Sequence, residues 1–558
     1  MPKIKKLPPH LIAQIAAGEV IERPVYVVKE LVENAIDAHA THITIQVEQG
    51  GMKKIVVSDN GDGMDRDDLL QSFLHHTTSK IYDDIEGVKT FGFRGEALSS
   101  IAAVADITIQ SKTQDVIEGT QVIVEKGEVS TISPIGMPAG TMISVKNIFQ
   151  YFPARKKFLK SERTEFARIV DTVSQFVIIY PHIRFVLLHN KKTIFDLYPV
   201  KKSEERIKTI LGEQIYTHML PVINSSEYFE ISGFIARPQL STQSNTKQYI
   251  YINDRSVGDK VVSTAVKNAY GNLLETNRYP VFVLSLGIPY ELVDVNVHPR
   301  KEQVNFVNKD HVYESVHATI TKTLKEYDLT FTRNNPVSAR RGSTHTDSAR
   351  ILREAVRPWN IKSPTDISVT TILQLHETYI VAASNDGITL IDQHAAHERI
   401  LYEQFRTEFL KIRETGVSYP LPKSVIIELP VSDAVRMGDV LDIFKKLGFE
   451  MDSFSGNSYK ITAVPEIFKD RDIVLLLHEL LEHEDLGTMR TLDVISDTMI
   501  TFLACRSAVK AGDVLTQNEA KNIIKRLQDT PNNTTCPHGR PTKITFPLSE
   551  LHKMFKRA

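Results

Sequence analysis

Glu30, Asn34 and Asp37 fall at i, i+4 and i+7 of one apolar-patterned stretch, so a helix there carries two carboxylates and a carboxamide on one face. Side chains of these types can divide a hydrolytic task. A carboxylate such as Glu30 can orient and deprotonate a water, while the carboxamide oxygen of Asn34 can ligate Mg2+ beside phosphates. A polar helix face is also simply what water solvates, so the trio needs company to mean more. Asp59 follows, with Gly61 and Gly63 behind it. The acid can accept a hydrogen bond from an exocyclic amine, and the glycines let the backbone turn sharply against a flat ligand. Alone, this is a turn after a strand.

Two further runs suit phosphate. Thr77, Ser79 and Lys80 stand in one, and Gly92, Arg94, Gly95 and Glu96 in the next, where glycines opening a helix leave backbone N–H groups free for phosphate oxygens. Thr141, after Gly140, precedes a strand read over 143–145. Near the other end, His394 and Glu398 lie one helical turn apart, with Asp392 just before them. The chain's two cysteines, Cys505 and Cys536, both fall in this part, and Cys536 lies two residues from His538. Nitrogen, sulfur and carboxylate donors of this mixture can hold Zn2+ or Mn2+. Each piece also has a bland reading, as a surface His–Glu pair or a small buried thiol.

The elements that must position these groups follow from periodicity. Apolar residues at helical spacing predict a helix over 24–38, and alternation predicts strands over 43–47 and 54–58. Further strands are expected at 122–124, 248–252 and 281–286, and helices over 164–179, 259–270 and 311–324. The mixed order implies an α/β multidomain chain built on an α+β sandwich. At 558 residues one core is too few, and the texture divides the chain at 1–212, 213–330, a linker at 331–365 and 366–558, with a subdomain at about 425–500. A formal net charge of −1 gives no global nucleic-acid footprint but leaves room for local basic stripes, the arginine-rich linker among them. Sparse cysteine excludes a disulfide framework, and no apolar run is long enough for a bilayer; cytoplasmic residence is expected, with no membrane partner.

The four N-terminal blocks, in this order, resemble the GHKL-type ATP-binding fold of gyrase, heat-shock chaperones, histidine kinases and MutL. The stretch from Leu7 to Pro24 and the form of the block from Phe91 to Leu98 narrow the resemblance to the MutL family of DNA mismatch repair proteins. The run from Asp392 to Glu403 matches every specified position of the pattern Asp-Gln-His-Ala-x-x-Glu-x-x-x-x-Glu of MutL proteins that nick DNA.

The resemblance implies a GHKL-type ATPase domain, a ribosomal-protein-S5-like second domain and an α+β C-terminal dimerisation and endonuclease domain. It implies ATP and Mg2+ as cofactors, with Glu30 as general base, Asn34 as Mg2+ ligand and Asp59 on adenine. Asp37, Gly61, Gly63, Thr77, Ser79, Lys80, Gly92, Arg94, Gly95, Glu96 and Thr141 would line the nucleotide, and Lys301 of Asn-Val-His-Pro-Arg-Lys would reach its terminal phosphate. His394, Glu398, Cys536 and His538 would hold Zn2+ or Mn2+, with Asp392 and Cys505 completing a second ion position and Asp392 and Glu398 serving catalysis. Partners implied are DNA, the mismatch-recognition protein MutS, a sliding clamp, a helicase and a second copy of the chain. Two departures stand out: Tyr151-Phe152 replaces the family's Asn-Thr before Pro-Ala-Arg, and the clamp-binding segment at 418–424 lacks its glutamine. The alternatives are a non-nicking ATP-gated matchmaker with structural zinc and, more remotely, a chaperone or topoisomerase subunit.

Overall fold

The computed structural model describes residues 21–73, 77, 97–226, 229–274, 278–294, 304–327, 371–415, 418–469, 471, 473–481, 492–510 and 512–557. Helix α1, Pro24–Asp37, opens with proline at its first turn, where a missing N–H costs nothing. Its apolar stripe, including Val27, Val28, Leu31 and Val32, is wholly buried. Strand β1 (His42–Glu48) alternates as expected, with Ile43, Ile45 and Val47 facing inward, whereas β2 (Lys54–Asp59) buries Ile55, Val56 and Val57 in succession. After helix α2 (Ala97–Val104) come β3 (Asp106–Lys112), β4 (Gly119–Glu125), β5 (Glu128–Ile135) and β6 (Gly140–Lys146). Helix α3 (Glu162–Ile179), capped by Ser161, leads to β7 (Arg184–His189) and β8 (Lys192–Leu197).

These strands form one sheet of order β5-β4-β3-β6-β2-β1-β7-β8, antiparallel except where β1 runs parallel to β7. Its inner face and helices α1, α2 and α3 share a single apolar core. Gly140 and Thr141, expected ahead of a strand, begin β6 itself, because their backbones extend the ladder with Asp59 and Ser111.

A second sheet follows: β9 (Met219–Ser225), β10 (Glu230–Ala236), β11 (Gln248–Ile252), β12 (Arg255–Ser256) and β13 (Phe282–Gly287), in order β12-β11-β13-β10-β9. One of its faces packs on α4 (Lys260–Tyr270) and α5 (Lys309–Glu326), and a short two-stranded sheet, β14 (Val293–Asp294) with β15 (Asn305–Phe306), lies before α5. From the other face, Tyr249, Tyr251 and Val283 enter the core of the first domain. The Tyr251 hydroxyl donates to the Gln175 carbonyl of α3 at 2.9 Å, which ties the two domains at a defined point.

Past residue 370, β16 (Thr371–Leu375), β17 (Tyr379–Ser384) and β18 (Gly387–Asp392) form a sheet completed by β22 (Lys543–Pro547). Helix α6 (Gln393–Thr415) leaves directly from β18 and packs against this sheet. A separate three-stranded sheet, β19 (Ser418–Glu428), β21 (Ser458–Pro465) and β20 (Glu450–Ser455), carries α7 (Val431–Lys446) and α8 (Ile473–Leu481). Helices α9 (Leu492–Ser507) and α10 (Gln517–Asp529) return the chain to the first C-terminal sheet. The expected clamp segment forms the start of β19, and the expected linker lies outside the described residues. Among the described residues, no helix is long and apolar enough to cross a membrane.

Ile45 is fully buried at the centre of the first sheet, so Ile45→Ala is expected to cost about 2–5 kcal/mol of stability. Chemical denaturation should show this as a lowered midpoint, and an unchanged midpoint would contradict the packing described.

Candidate functional site

At the N-terminal site, Asp59 ends β2 and pairs across the ladder with Thr141 on one side and Ile43 on the other. Its Oδ1 accepts from the Gly61 N–H at 2.9 Å and the Thr141 N–H at 3.3 Å. Burial pushes the Asp59 pKa from 3.8 up to about 6, with these two N–H groups pulling it back and Asp62 adding to the rise. The loop beyond is drawn tight. A Cβ on Gly61 would stand 2.4 Å from the Ala38 carbonyl, and Gly63, at φ +73°, sits with its own against Lys112. Asp62 N–H donates to the same Ala38 carbonyl at 2.9 Å, so the loop is stitched to the end of α1. Thr141 is buried and its hydroxyl lies 2.9 Å from Ser111 Oγ, which also accepts from the Met64 N–H.

Helix α1 therefore enters the site by its C-terminal turn, beside Asp37. Asn34 lies one turn back and Glu30 two, a span of about 10 Å along the axis. Glu30 is buried, and Asn34 and Asp37 are half-buried. Asp37 and its neighbour Glu33 also act on Arg255 of β12 and on Tyr180. That cation comes from the second domain, and sequence reasoning missed it because a lone arginine after a turn carries no local signal. The hydroxyl of Thr77 donates to the Gln71 carbonyl at 2.6 Å. Ser79, Lys80, Gly92, Arg94, Gly95, Glu96 and Lys301 lie outside the described residues.

The C-terminal candidates gather from three segments: α6, α9 and the turn before β22. Ligand atoms of His394, Glu398 and Cys505 lie within 4.8 Å of one another, as do those of Glu398, Cys536 and His538. Glu398, on the buried side of α6, is common to both groups. Its Oε1 is buried and lies 2.8 Å from His538 Nδ1, an ion pair inside the ligand cluster. Burial raises the pKa of Glu398, but His538 and Cys536 beside it outweigh that and hold it below its usual value. Cys536 and Glu398 raise that of His538 to about 10. Two imidazoles, two thiols and a carboxylate fit a borderline-soft divalent metal such as Zn2+.

His394 is oriented by its Nδ1, 2.8 Å from the Val509 carbonyl, which leaves Nε2 for a ligand. The Val509 N–H in turn donates to His397 Nδ1 at 3.0 Å. Burial, with Arg526 and His394 adding to it, lowers the pKa of His397 to about 3 and keeps the ring neutral. Asp392 falls in neither group; its Oδ1 accepts from the Ala395 N–H at 2.9 Å and caps α6. Glu403 pairs with Arg399 at 3.0 Å.

Residues 22–140 match the family described as histidine kinase-, DNA gyrase B-, and HSP90-like ATPase. Residues 207–325 match the DNA mismatch repair protein, C-terminal domain, and residues 372–515 the MutL C terminal dimerisation domain. The chain is 33% identical to the DNA mismatch repair protein MutL of Geotalea daltonii, over 100% of both chains. It is 35% identical to that of Methanoculleus marisnigri, again over 100% of each. Among solved structures, one titled as the N terminal domain of a DNA repair protein is 25% identical with a TM-score of 0.50, covering 57% of this chain and 99% of that one.

Asp59 is charged above pH about 6 and neutral below, and only the charged form offers its full acceptor strength to an amine donor. If Asp59 receives the nucleotide's exocyclic amine, as the family resemblance implies, affinity should fall by about threefold or more between pH 7.5 and 5.5. Fluorescent-nucleotide titration should show a shallower fall for Asp59→Asn, which has no such proton; equal slopes would refute the assignment. The sign for stability is opposite: the folded state holds this proton more tightly, so its contribution declines as pH rises from 3.8 to about 6.

Proposed function

The chain belongs to the MutL family of DNA mismatch repair proteins, with an ATPase domain and a C-terminal dimerisation domain, and from that premise we propose that it is an ATP-hydrolysing homodimer that couples mismatch recognition by MutS to incision of one DNA strand. In this reading Asp59 receives the adenine amine, and the glycine loop from Gly61 to Gly63 lets the base approach the backbone. Glu30 takes the proton of the attacking water, and Asn34 would hold a Mg2+ ion that neutralises phosphate charge. Lys80, the run from Gly92 to Glu96 and Lys301 meet the phosphates, so that a lysine from the second domain reports whether the terminal phosphate is present. Asp37, held near Arg255, links the nucleotide helix to that domain as well.

The observation that carries the nicking half is Glu398, a buried carboxylate shared by two ligand groups of mixed nitrogen, sulfur and oxygen donors. His394, Glu398, Cys505, Cys536 and His538 would hold the metal, with Asp392 next to them at the start of α6. A metal bound there would supply an acidified water and charge stabilisation at the scissile phosphate. The protein's own part is to aim His394 through Val509 and to hold Glu398 ionised. Self-association has a surface to use: Leu373, Tyr379, Ile544 and Leu548 lie exposed on the C-terminal sheet and its following helix. A sliding clamp and a helicase are further partners of this reading, and its work on the chromosome keeps the protein in the cytoplasm, at the nucleoid when bound.

One observation favours a second reading. Asp392 serves as a helix cap and leaves a closed ligand set, which suits structural zinc and a matchmaker without nuclease activity. Supercoiled plasmid incubated with Mn2+ separates the two. Asparagine caps as well as aspartate, so Asp392→Asn removes charge and keeps the cap. Nicking by wild type and not by this variant supports the nuclease; no nicking by either supports the matchmaker.

For the ATPase, Glu30→Ala should abolish turnover, a loss of about 100-fold or more, while nucleotide binding persists. Steady-state phosphate release and a binding titration read the two separately, and undiminished release would remove Glu30 from its role.

A further inference from the structure

Helix α7 belongs to the C-terminal lobe, yet it lies against both N-terminal domains. Val431 is buried in the core of the first domain, and Val435 packs against it. Along the same helix Asp433 is fully buried, with its Oδ2 2.8 Å from Nζ of Lys247, the residue preceding β11 of the second domain. Arg436 reaches the other way, its Nη2 2.9 Å from Asp171 on α3 of the first domain, and its Nη1 is 3.2 Å from Asp433. The four charges form one line, Asp171–Arg436–Asp433–Lys247, crossing three domains. Burial opposes the charge on Asp433, but Lys247, His478 and Arg436 outweigh it and hold the carboxyl far below its usual range.

Buried ion pairs contribute little net stability compared with apolar packing, but they demand their partners in place. The chain between residues 327 and 371 could extend to about 140 Å, so covalent connection does not force the contact. We propose that this line of charges is a releasable latch: α7 docks into the seam between the ATPase domain and the second domain, fixes the angle between them, and leaves when they turn. Relative rotation of the two domains would separate Asp171 from Lys247 while both remain tied to one rigid helix. Docking and rotation therefore exclude each other.

Hydrogen exchange on the full-length protein tests it by altering one side and reading the other. The Asp171 side chain is 26% exposed, so Asp171→Lys leaves its own domain intact while setting a cation against Arg436. Amides of 431–446 and 248–252 should then exchange about tenfold faster or more, with β1 and β2 unchanged. Unaltered exchange at 431–446 would overturn the latch. Should β1 and β2 also lose protection, the near-isosteric Asp171→Asn decides. Faster exchange confined to 431–446 and 248–252 supports the proposal, and none overturns it.

Discussion

The register of three central strands fixes where chemistry can occur in the N-terminal half. Asp59 stands at the end of β2 because β1 and β6 pair with it there, through Ile43 and Thr141. A slip of one residue would turn the carboxylate to the other face and bring Ser58 in its place. The register is held by Ile43, Ile45, Val47, Ile55 and Val57, all facing the same core. Close approach holds it too: Gly140, at φ +124°, lies so near the Asp59 carbonyl that a Cβ would be 2.2 Å away. The two N–H groups that reach Asp59 come from that ladder and the turn after it, so fold and site share the same hydrogen bonds.

Electrostatics then link this site to neighbouring domains. Glu33 and Asp37 on α1 act on Arg255 of the second sheet, and the Tyr180 hydroxyl donates to the Asp254 carbonyl at 3.1 Å. The helix that ends beside Asp59 and the glycine loop is thereby tied electrostatically to the neighbouring domain. The charged line through Asp171, Arg436, Asp433 and Lys247 adds the C-terminal lobe to the same frame.

The C-terminal site has a different origin. His394 and Glu398 share a face of α6 by helical spacing alone, but Cys505 lies in the last turn of α9 and Cys536 and His538 lie on a turn before β22. The turn is set by Cys536, whose N–H donates to the Arg540 carbonyl at 2.8 Å, and Gly539 at φ +82° closes it. Arg399 fastens that segment to α6, its Nε donating to the Thr535 carbonyl at 2.6 Å. Burial of Glu398 is what makes the cluster consequential, since a buried carboxylate demands a cation or donors.

Periodicity in the sequence determined α1, β1, β2 and α3 to within a few residues, because one-sided burial imposes periods of 3.6 and two. It also determined which residue types stand at i and i+4 on α1 and α6, and motif order pointed to the family. Only tertiary structure decided that burial raises the pKa of the Asp59 carboxyl to about 6, that one oxygen of Asp392 caps a helix, and that Cys505 joins His394 and Glu398. The partnership of Arg255 with α1 and of Asp433 with Lys247, 186 residues away, belongs to the same class. The physical reason is one of range. Local pattern records the face a side chain turns toward the core, whereas solvation and charge pairing depend on segments far off in the chain that folding alone brings near.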